Sequence, residues 1–136
     1  MNPVEFKDLA GLVGQEVGVS DWVEITQERV NQFAEATGDH QWIHVDVERA
    51  KAGPYGAPIA HGFLTLSLLP ELAATAMCID DVKMSINYGL NRVRFTGPVP
   101  AGSRVRGVLK LKAYEPIEGE AKPACIAETI SVVYGA

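Results

Sequence analysis

The feature that most constrains the fold is an apolar run in the middle of the chain, residues 62–77, which read GFLTLSLLPELAATAM. As a helix, this run would present apolar side chains on nearly every side, and a helix of that kind belongs in the interior of a fold. It would be about 20–24 Å long at the usual rise per residue. Pro70 removes one backbone hydrogen bond, so the pattern predicts a kink or a change of pitch there.

The residues after this run have the pattern of an antiparallel sheet. Residues 83–96 predict one long strand or two, with a bulge at Gly89. Residues 104–114 alternate between apolar and basic side chains, and 124–134 place their apolar side chains mostly on one face. A buried helix followed by long antiparallel strands predicts an α+β domain in which a sheet wraps a helix. The length of 136 residues fits one domain spanning 1–136.

The first third of the chain predicts a short helix, a strand and a well-capped helix. Residues 3–12 favour a short helix, and 17–25 alternate with the period of a strand. Residues 27–37 favour a helix, because Thr26 is a suitable N-cap and Gly38 can adopt the left-handed conformation that ends a helix. A further short helix is expected within residues 46–53, before a loop rich in glycine and proline.

The composition excludes several classes of partner. A net charge of −5 argues against nucleic-acid binding, because a phosphate-binding surface needs clustered Lys and Arg. No run reaches the roughly eighteen apolar residues of a membrane span. The start, MNPVEFKDLAG, has no basic segment followed by an apolar one, so we expect no secretion signal and a cytoplasmic protein. Cys78 and Cys125 lie in apolar surroundings, which favours two reduced thiols.

Three residues are candidates for chemistry. Asp39 directly follows the helix-ending glycine, and His44 comes five residues later. A carboxylate and an imidazole that lie close together can share a water molecule and activate it. Gly62 would begin the apolar helix, where free N–H groups can bind an oxygen that becomes negative. Each residue also has a structural interpretation: Asp39 as a turn residue, His44 as a core histidine, and Gly62 as a packing residue.

A metal site is a weaker interpretation of the same region. His40 and His44 are four residues apart, and Asp39 and His61 could join them. The region has neither an HExxH nor a CxxC pattern, so we expect no metal. We assign His61 no chemical role and regard it as a capping or packing residue.

Two longer motifs resemble a known family. They are ATGDHQWIHVDVERAKAGPYGAPIAHGF at residues 36–63 and NYGLNRVRFTGPVPAGSRVR at 87–106. The sequence resembles the MaoC-like dehydratases, the (R)-specific enoyl-CoA hydratases, and within them the branch similar to the nodulation protein NodN. The family signature has an aspartate, a histidine five residues later and a glycine eighteen residues after that, which fall on Asp39, His44 and Gly62. The chain departs from the family at Gln41 and Trp42, where Asn-Pro is usual.

The resemblance implies a hot-dog fold, in which an antiparallel sheet wraps a long central helix, and a homodimer. It implies reversible hydration of a trans-2-enoyl-CoA to the (R)-3-hydroxyacyl-CoA, with Asp39 and His44 activating water and Gly62 binding the thioester oxygen. Asn91 and Arg92 are expected to bind substrate, with Arg92 or Arg94 meeting the phosphates of coenzyme A. No cofactor is expected, because coenzyme A is part of the acyl-CoA substrate.

Two other functions remain open. Hot-dog domains include acyl-CoA thioesterases, which place their carboxylate differently. A non-catalytic acyl-CoA-binding module is the third interpretation, and the presence of both Asp39 and His44 argues against it.

Overall fold

The computed structural model of the protein describes residues 3–5, 8, 12, 14–80, 82–110, 113–116 and 123–135, with side chains described up to residue 110 apart from Val82 and Tyr88. Five helices lie within these residues: α1 (Gln27–Thr37), α2 (Trp42–Val45), α3 (Val47–Lys51), α4 (Gly62–Ser67) and α5 (Leu69–Ala76). The strands are β1 (Pro3–Val4), β2 (Glu16–Val19), β3 (Val23–Glu24), β4 (Cys78–Ile79), β5 (Val82–Phe95), β6 (Arg104–Val105), β7 (Val108–Lys110), β8 (Ala113–Pro116) and β9 (Pro123–Gly135). Among the described helices, none combines the length and the apolarity that a membrane crossing requires.

The main sheet is antiparallel and has five strands in the order β2-β7-β8-β9-β5. Two smaller pairs accompany it: β1 lies parallel to β4, and β3 lies antiparallel to β6. Helices α4 and α5 lie against the main sheet. At one contact Gly18 of β2 approaches the backbone of α5 so closely that a Cβ there would lie 1.9 Å from the Ala76 oxygen. The predicted α+β architecture, with a sheet wrapped around the central helical segment, is confirmed.

The central apolar run forms two helices instead of one. Helix α4 ends at Ser67, Leu68 caps it, and α5 begins at Leu69 with Pro70 in its first turn. Proline is tolerated in a first turn, where its missing N–H would have no partner in any case. The predicted disturbance near Pro70 is therefore confirmed as a break two residues before it, and the expected single long helix is wrong.

The central run is also buried on one side only. Leu64, Leu68, Leu72 and Ala76 are spaced four apart and are buried, as expected for the inner face of a helix. On the outer side, Phe63 is 68% exposed. The rest of the core comes from α1, the loops and the small β3-β6 pair, and its members are Ile25, Val30, Ala60, Val99 and Val105.

Three predicted elements differ from the structure. Residues 3 and 4 form β1 instead of the start of a helix, and much of the remainder of the predicted helix lies outside the described residues. The predicted strand 17–25 is divided between β2 and β3, because the Ser20 hydroxyl accepts the Gly107 N–H and the Asp21 N–H donates to Thr75 Oγ1. One backbone bond, from the Ser20 N–H to the Gly107 carbonyl oxygen at 2.8 Å, remains beside these side-chain bonds.

The predicted strand 104–114 is likewise divided among β6, β7 and β8, and β7 pairs antiparallel with β8. Alternation continued through the breaks, so it could not reveal them. By contrast, α1, the helix near residue 46, the bulge at Gly89 and the last strand lie where they were predicted. Cys78 is a free, partly buried thiol, and the side chain of Cys125 lies outside the described residues.

Candidate active site

Asp39 is held at the end of α1 by the caps of that helix. The Thr26 hydroxyl accepts the Arg29 N–H at the start of α1, and Gly38 ends the helix with a φ of 81°. The Asp39 side chain is half exposed, and its Oδ1 accepts the Gln41 N–H at 3.3 Å. This bond turns the chain toward α2 and leaves Oδ2 directed at the histidines that follow.

His44 lies in α2, a four-residue helix that the sequence analysis did not predict, and it is buried. Its Nδ1 is 2.6 Å from the Ile59 carbonyl oxygen. Because a carbonyl only accepts, Nδ1 carries the proton and the neutral ring has its lone pair on Nε2. The backbone of His44 is tied to α1, since Gln27 Nε2 donates to the His44 carbonyl at 2.8 Å.

The predicted pair is brought together, with a gap between the two groups. His44 Nε2 lies 4.0 Å from Asp39 Oδ2. That distance is too long for a direct hydrogen bond, and both atoms are acceptors. One water molecule at about 2.8 Å from each atom fits the gap and can donate one hydrogen to each.

Burial lowers the pKa of His44 below its usual value, and the neighbouring His61 ring acts in the same direction. The hydrogen bond to Ile59 and the Asp39 carboxylate raise the pKa but do not outweigh the loss of hydration. His44 is therefore neutral near pH 7, with its Nε2 lone pair available to accept a proton.

His61 completes the cluster, although the sequence indicated only a capping or packing residue there. It is 2% exposed and directly precedes α4. Its Nε2 lies 2.9 Å from the Asp39 carbonyl oxygen and 4.0 Å from Asp39 Oδ2, and its ring stacks on His44 with centroids 3.8 Å apart. The only sequence signal for His61 is its place before the helix-opening glycine, because 22 residues separate it from Asp39.

A cleft of about 330 Å³ opens beside His44 and Gly62. Gly62 is the first residue of α4, where the backbone N–H has no partner within the helix. The ring of Phe95 lies over it, so that a Cβ at residue 62 would be 2.7 Å from Phe95 Cδ2. Tyr55 and Thr65 also line the cleft. The structure thus brings Gly62 and His44 to one cleft, and Asp39 lies 4.0 Å from His44 Nε2 without lining that cleft.

The other predicted site residues lie elsewhere in this chain. Asn91 and Arg92 are exposed on β5 and do not line the cleft, and their role in substrate binding stays a prediction. His40 lies on the surface, 3.8 Å from Glu35.

The donor set that could hold a metal consists of Asp39, His44 and His61, with one ligand atom of each within 4.8 Å of the others. His40 does not belong to it. The expectation that no metal is needed stays a prediction.

Comparison with known proteins identifies the family. The MaoC-like domain matches residues 8–131. The 3-hydroxyacyl-thioester dehydratase Z of Mycobacterium tuberculosis is 56% identical over an alignment of 138 positions. The alignment covers 90% of this chain and 91% of that protein. Nodulation protein N of Rhizobium meliloti is 45% identical over an alignment of 149 positions. The alignment covers 97% of this chain and 92% of that protein.

The fold is that of an (R)-hydratase from Pseudomonas aeruginosa, solved in the unliganded form. Its TM-score is 0.69 at 23% identity, over 91% of this chain and 83% of that one. The predicted hot-dog fold and the predicted enzyme class, a dehydratase or hydratase, are confirmed. This chain belongs to the MaoC-like dehydratase family.

Proposed function

We propose that the protein hydrates trans-2-enoyl-CoA to (R)-3-hydroxyacyl-CoA and catalyses the reverse dehydration. The observation that carries this proposal is the 4.0 Å gap between His44 Nε2 and Asp39 Oδ2. Two acceptors at this separation, one of them a buried neutral imidazole, are suited to hold and activate one water. The name of the mycobacterial relative, a 3-hydroxyacyl-thioester dehydratase, supports the same reaction class.

In the proposed reaction, the water between Asp39 and His44 forms a bond from its oxygen to C3 of the enoyl thioester. The pair accepts one proton of that water, and a proton returns from the pair to C2 on the same face. The elements of water are thereby added across the double bond with no net change in protonation of the enzyme. General acid–base help of this kind contributes about 10²–10⁴ in rate.

The N–H of Gly62 is proposed to donate a hydrogen bond to the thioester oxygen while enolate charge develops. Helix geometry leaves this N–H without an intrahelical partner, and glycine has no Cβ to hold the substrate away. One such donor is typically worth about 10²–10³ in rate. The thioester itself acidifies C2, so the proposal needs neither a metal nor a redox cofactor.

We further propose that the protein is cytoplasmic and that Asn91 and Arg92 contact the coenzyme A portion of the substrate.

We also propose that the protein is a homodimer. Strand β5 is the last strand of the main sheet among the described residues. Its exposed side chains include Met84, Ile86 and Leu90. A long edge strand with exposed apolar side chains is normally covered, and a second copy of the chain would cover it.

The experiment that tests the reaction follows the loss of enoyl-thioester absorbance with crotonyl-CoA and with a longer trans-2-enoyl-CoA. Asp39→Asn and His44→Ala should each lower kcat/KM by about 10²–10⁴. His40→Ala is the matched control, because this exposed histidine lies outside the cluster. It should retain wild-type activity.

Wild-type protein that is inactive on both substrates, or pair variants that match it, would overturn the proposal. Release of free thiol without hydration would identify a thioesterase instead. Binding of the thioester with neither reaction would identify a binding module.

A further inference from the structure

His61 is a buried polar residue of the site that the proposed reaction does not use. Its ring stacks on His44 on one side and lies 4.9 Å from the Phe33 ring on another. A phenylalanine or leucine would satisfy these two packing contacts. The contact that only a polar side chain supplies is the one to Asp39.

The hydrogen-bond partners fix the tautomer of His61. Nε2 lies 2.9 Å from the Asp39 carbonyl oxygen, which can only accept, so Nε2 donates its proton. The lone pair is then on Nδ1, which is buried and has no hydrogen-bond partner among the residues that the structure describes. An unsatisfied buried polar atom is destabilising, because it has lost its hydrogen bonds to water and gained none in the protein. The tautomer that leaves Nδ1 unsatisfied is the one that donates a hydrogen bond to the Asp39 carbonyl.

That donor acts on a short segment between two helices. Residues 38–41 lie between α1 and α2, and the Asp39 side chain is 49% exposed. The bond from His61 holds the Asp39 carbonyl from the buried side, while Asp39 Oδ1 accepts the Gln41 N–H from the other. Together the two bonds fix the peptide plane and the side chain, and so the position of Oδ2.

We infer that His61 is a positioning residue that holds the Asp39 backbone so that Oδ2 stays at water-bridging distance from His44 Nε2. The inference rests on the proposed function, since it assigns His61 to the same reaction. His61 does not touch the reacting atoms in this scheme. The effect of its donor on rate is transmitted by Asp39, and its separate contact with His44 is the ring stacking that phenylalanine retains.

The first test compares His61→Phe, His61→Gln and His61→Asn in the enoyl-CoA assay. Phenylalanine keeps a ring against His44 but has no donor. The glutamine amide can reach the place of Nε2, whereas the shorter asparagine amide cannot reach the Asp39 carbonyl. A misplacement of about 1 Å can cost about 10² in rate. We therefore expect kcat to fall about 10–10² in His61→Phe and His61→Asn with KM nearly unchanged, and His61→Gln to recover most of it.

The second test is a double-mutant cycle with Asp39→Asn. If His61 acts through the Asp39 carboxylate, adding His61→Phe to Asp39→Asn should lower kcat by less than about threefold, because coupled residues are not additive. A merely structural role would lower kcat by the same factor in both backgrounds. Leu72→Ala, which removes a buried side chain of α5 away from the cleft, controls for loss of stability.

Each outcome decides the inference. Unchanged kcat in folded His61→Phe, equal rates for the Gln and Asn variants, or full additivity in the cycle overturns it. If His61→Phe does not fold, the Gln and Asn variants still decide, because both carry an amide of similar polarity. Wild-type protein without hydratase activity overturns the proposed function instead, which is a separate result.

Discussion

Replacing Gly62 with alanine tests whether the backbone of α4 approaches the substrate. The new Cβ would lie 2.7, 2.8 and 3.0 Å from three atoms of the Phe95 ring, so the nearest of them is about 0.7 Å short of the 3.4 Å at which ordinary contact begins. Phe95 is partly exposed and makes an edge contact with Phe63 at 5.7 Å between centroids. The ring can therefore swing outward, and the fold should survive the substitution.

The catalytic efficiency should fall in this variant. The added methyl group stands beside the N–H that is proposed to bind the thioester oxygen, and loss of one such donor costs about 10²–10³ in rate. Because the substitution weakens the contact without removing the N–H, we expect kcat/KM on crotonyl-CoA to fall about 10–100-fold. Thermal unfolding should show that the protein remains folded.

A second background separates two causes of that loss. In Phe95→Ala the ring that the methyl group would meet is absent. If the methyl group also obstructs the donor, adding Gly62→Ala to Phe95→Ala should still lower kcat/KM at least about tenfold. His40→Ala is the control, because this exposed side chain lies outside the cleft.

Wild-type kcat/KM in Gly62→Ala would refute the assignment of this N–H. Equal kcat/KM in Phe95→Ala and in the double variant would show that only displacement of the ring matters.

Three further predictions concern the fold, the pH dependence and the assembly. Gly18→Ala should lower the free energy of unfolding in urea by at least about 2 kcal/mol, since its Cβ would lie 1.9 Å from the backbone oxygen of Ala76; the exposed substitution His40→Ala should not. Burial lowers the His44 pKa in the folded protein, so the unfolded chain binds a proton first as the pH falls. The free energy of unfolding should therefore be constant with respect to His44 above the unfolded pKa of about 6.5 and decrease below it. His44→Gln should flatten this dependence. Leu90→Asp should convert the proposed dimer to a monomer, as measured by light scattering, and an unchanged mass would contradict the proposed interface.

Local signals predicted those parts of the fold whose bounds are set by side chains next to them in sequence. Helix α1 begins after Thr26 and ends at Gly38 as predicted, because the hydroxyl cap and the left-handed glycine act within one turn. Helix α2 was missed because it has four residues, and its N-cap, Gln41, makes no side-chain bond to it. The break near Gly107 was missed for a different reason: its partner, Ser20, lies 87 residues away.

At the site, too, local spacing was predictable and contacts between distant residues were not. The spacing from Asp39 to His44 to Gly62 was visible in the sequence, and the structure brings all three to one region. The role inferred for His61 depends on which nitrogen meets which carbonyl, and no spacing contains that information. The absence of Asn91 and Arg92 from the cleft depends likewise on where β5 runs in three dimensions.

Helix α1 links all three polar residues of the cluster. Asp39 directly follows its C-terminal end, Gln27 in its first turn donates to the His44 carbonyl at 2.8 Å, and Phe33 in its middle packs against the His61 ring. The distances among the three side chains therefore depend on the position of one rigid helix more than on the short segments that carry them. A shift of α1 would change the 4.0 Å gap and the bond to the Asp39 carbonyl together. Consequently, substitutions that displace this helix should lower the rate as they displace Asp39 Oδ2 from His44 Nε2, even where they touch no reacting atom.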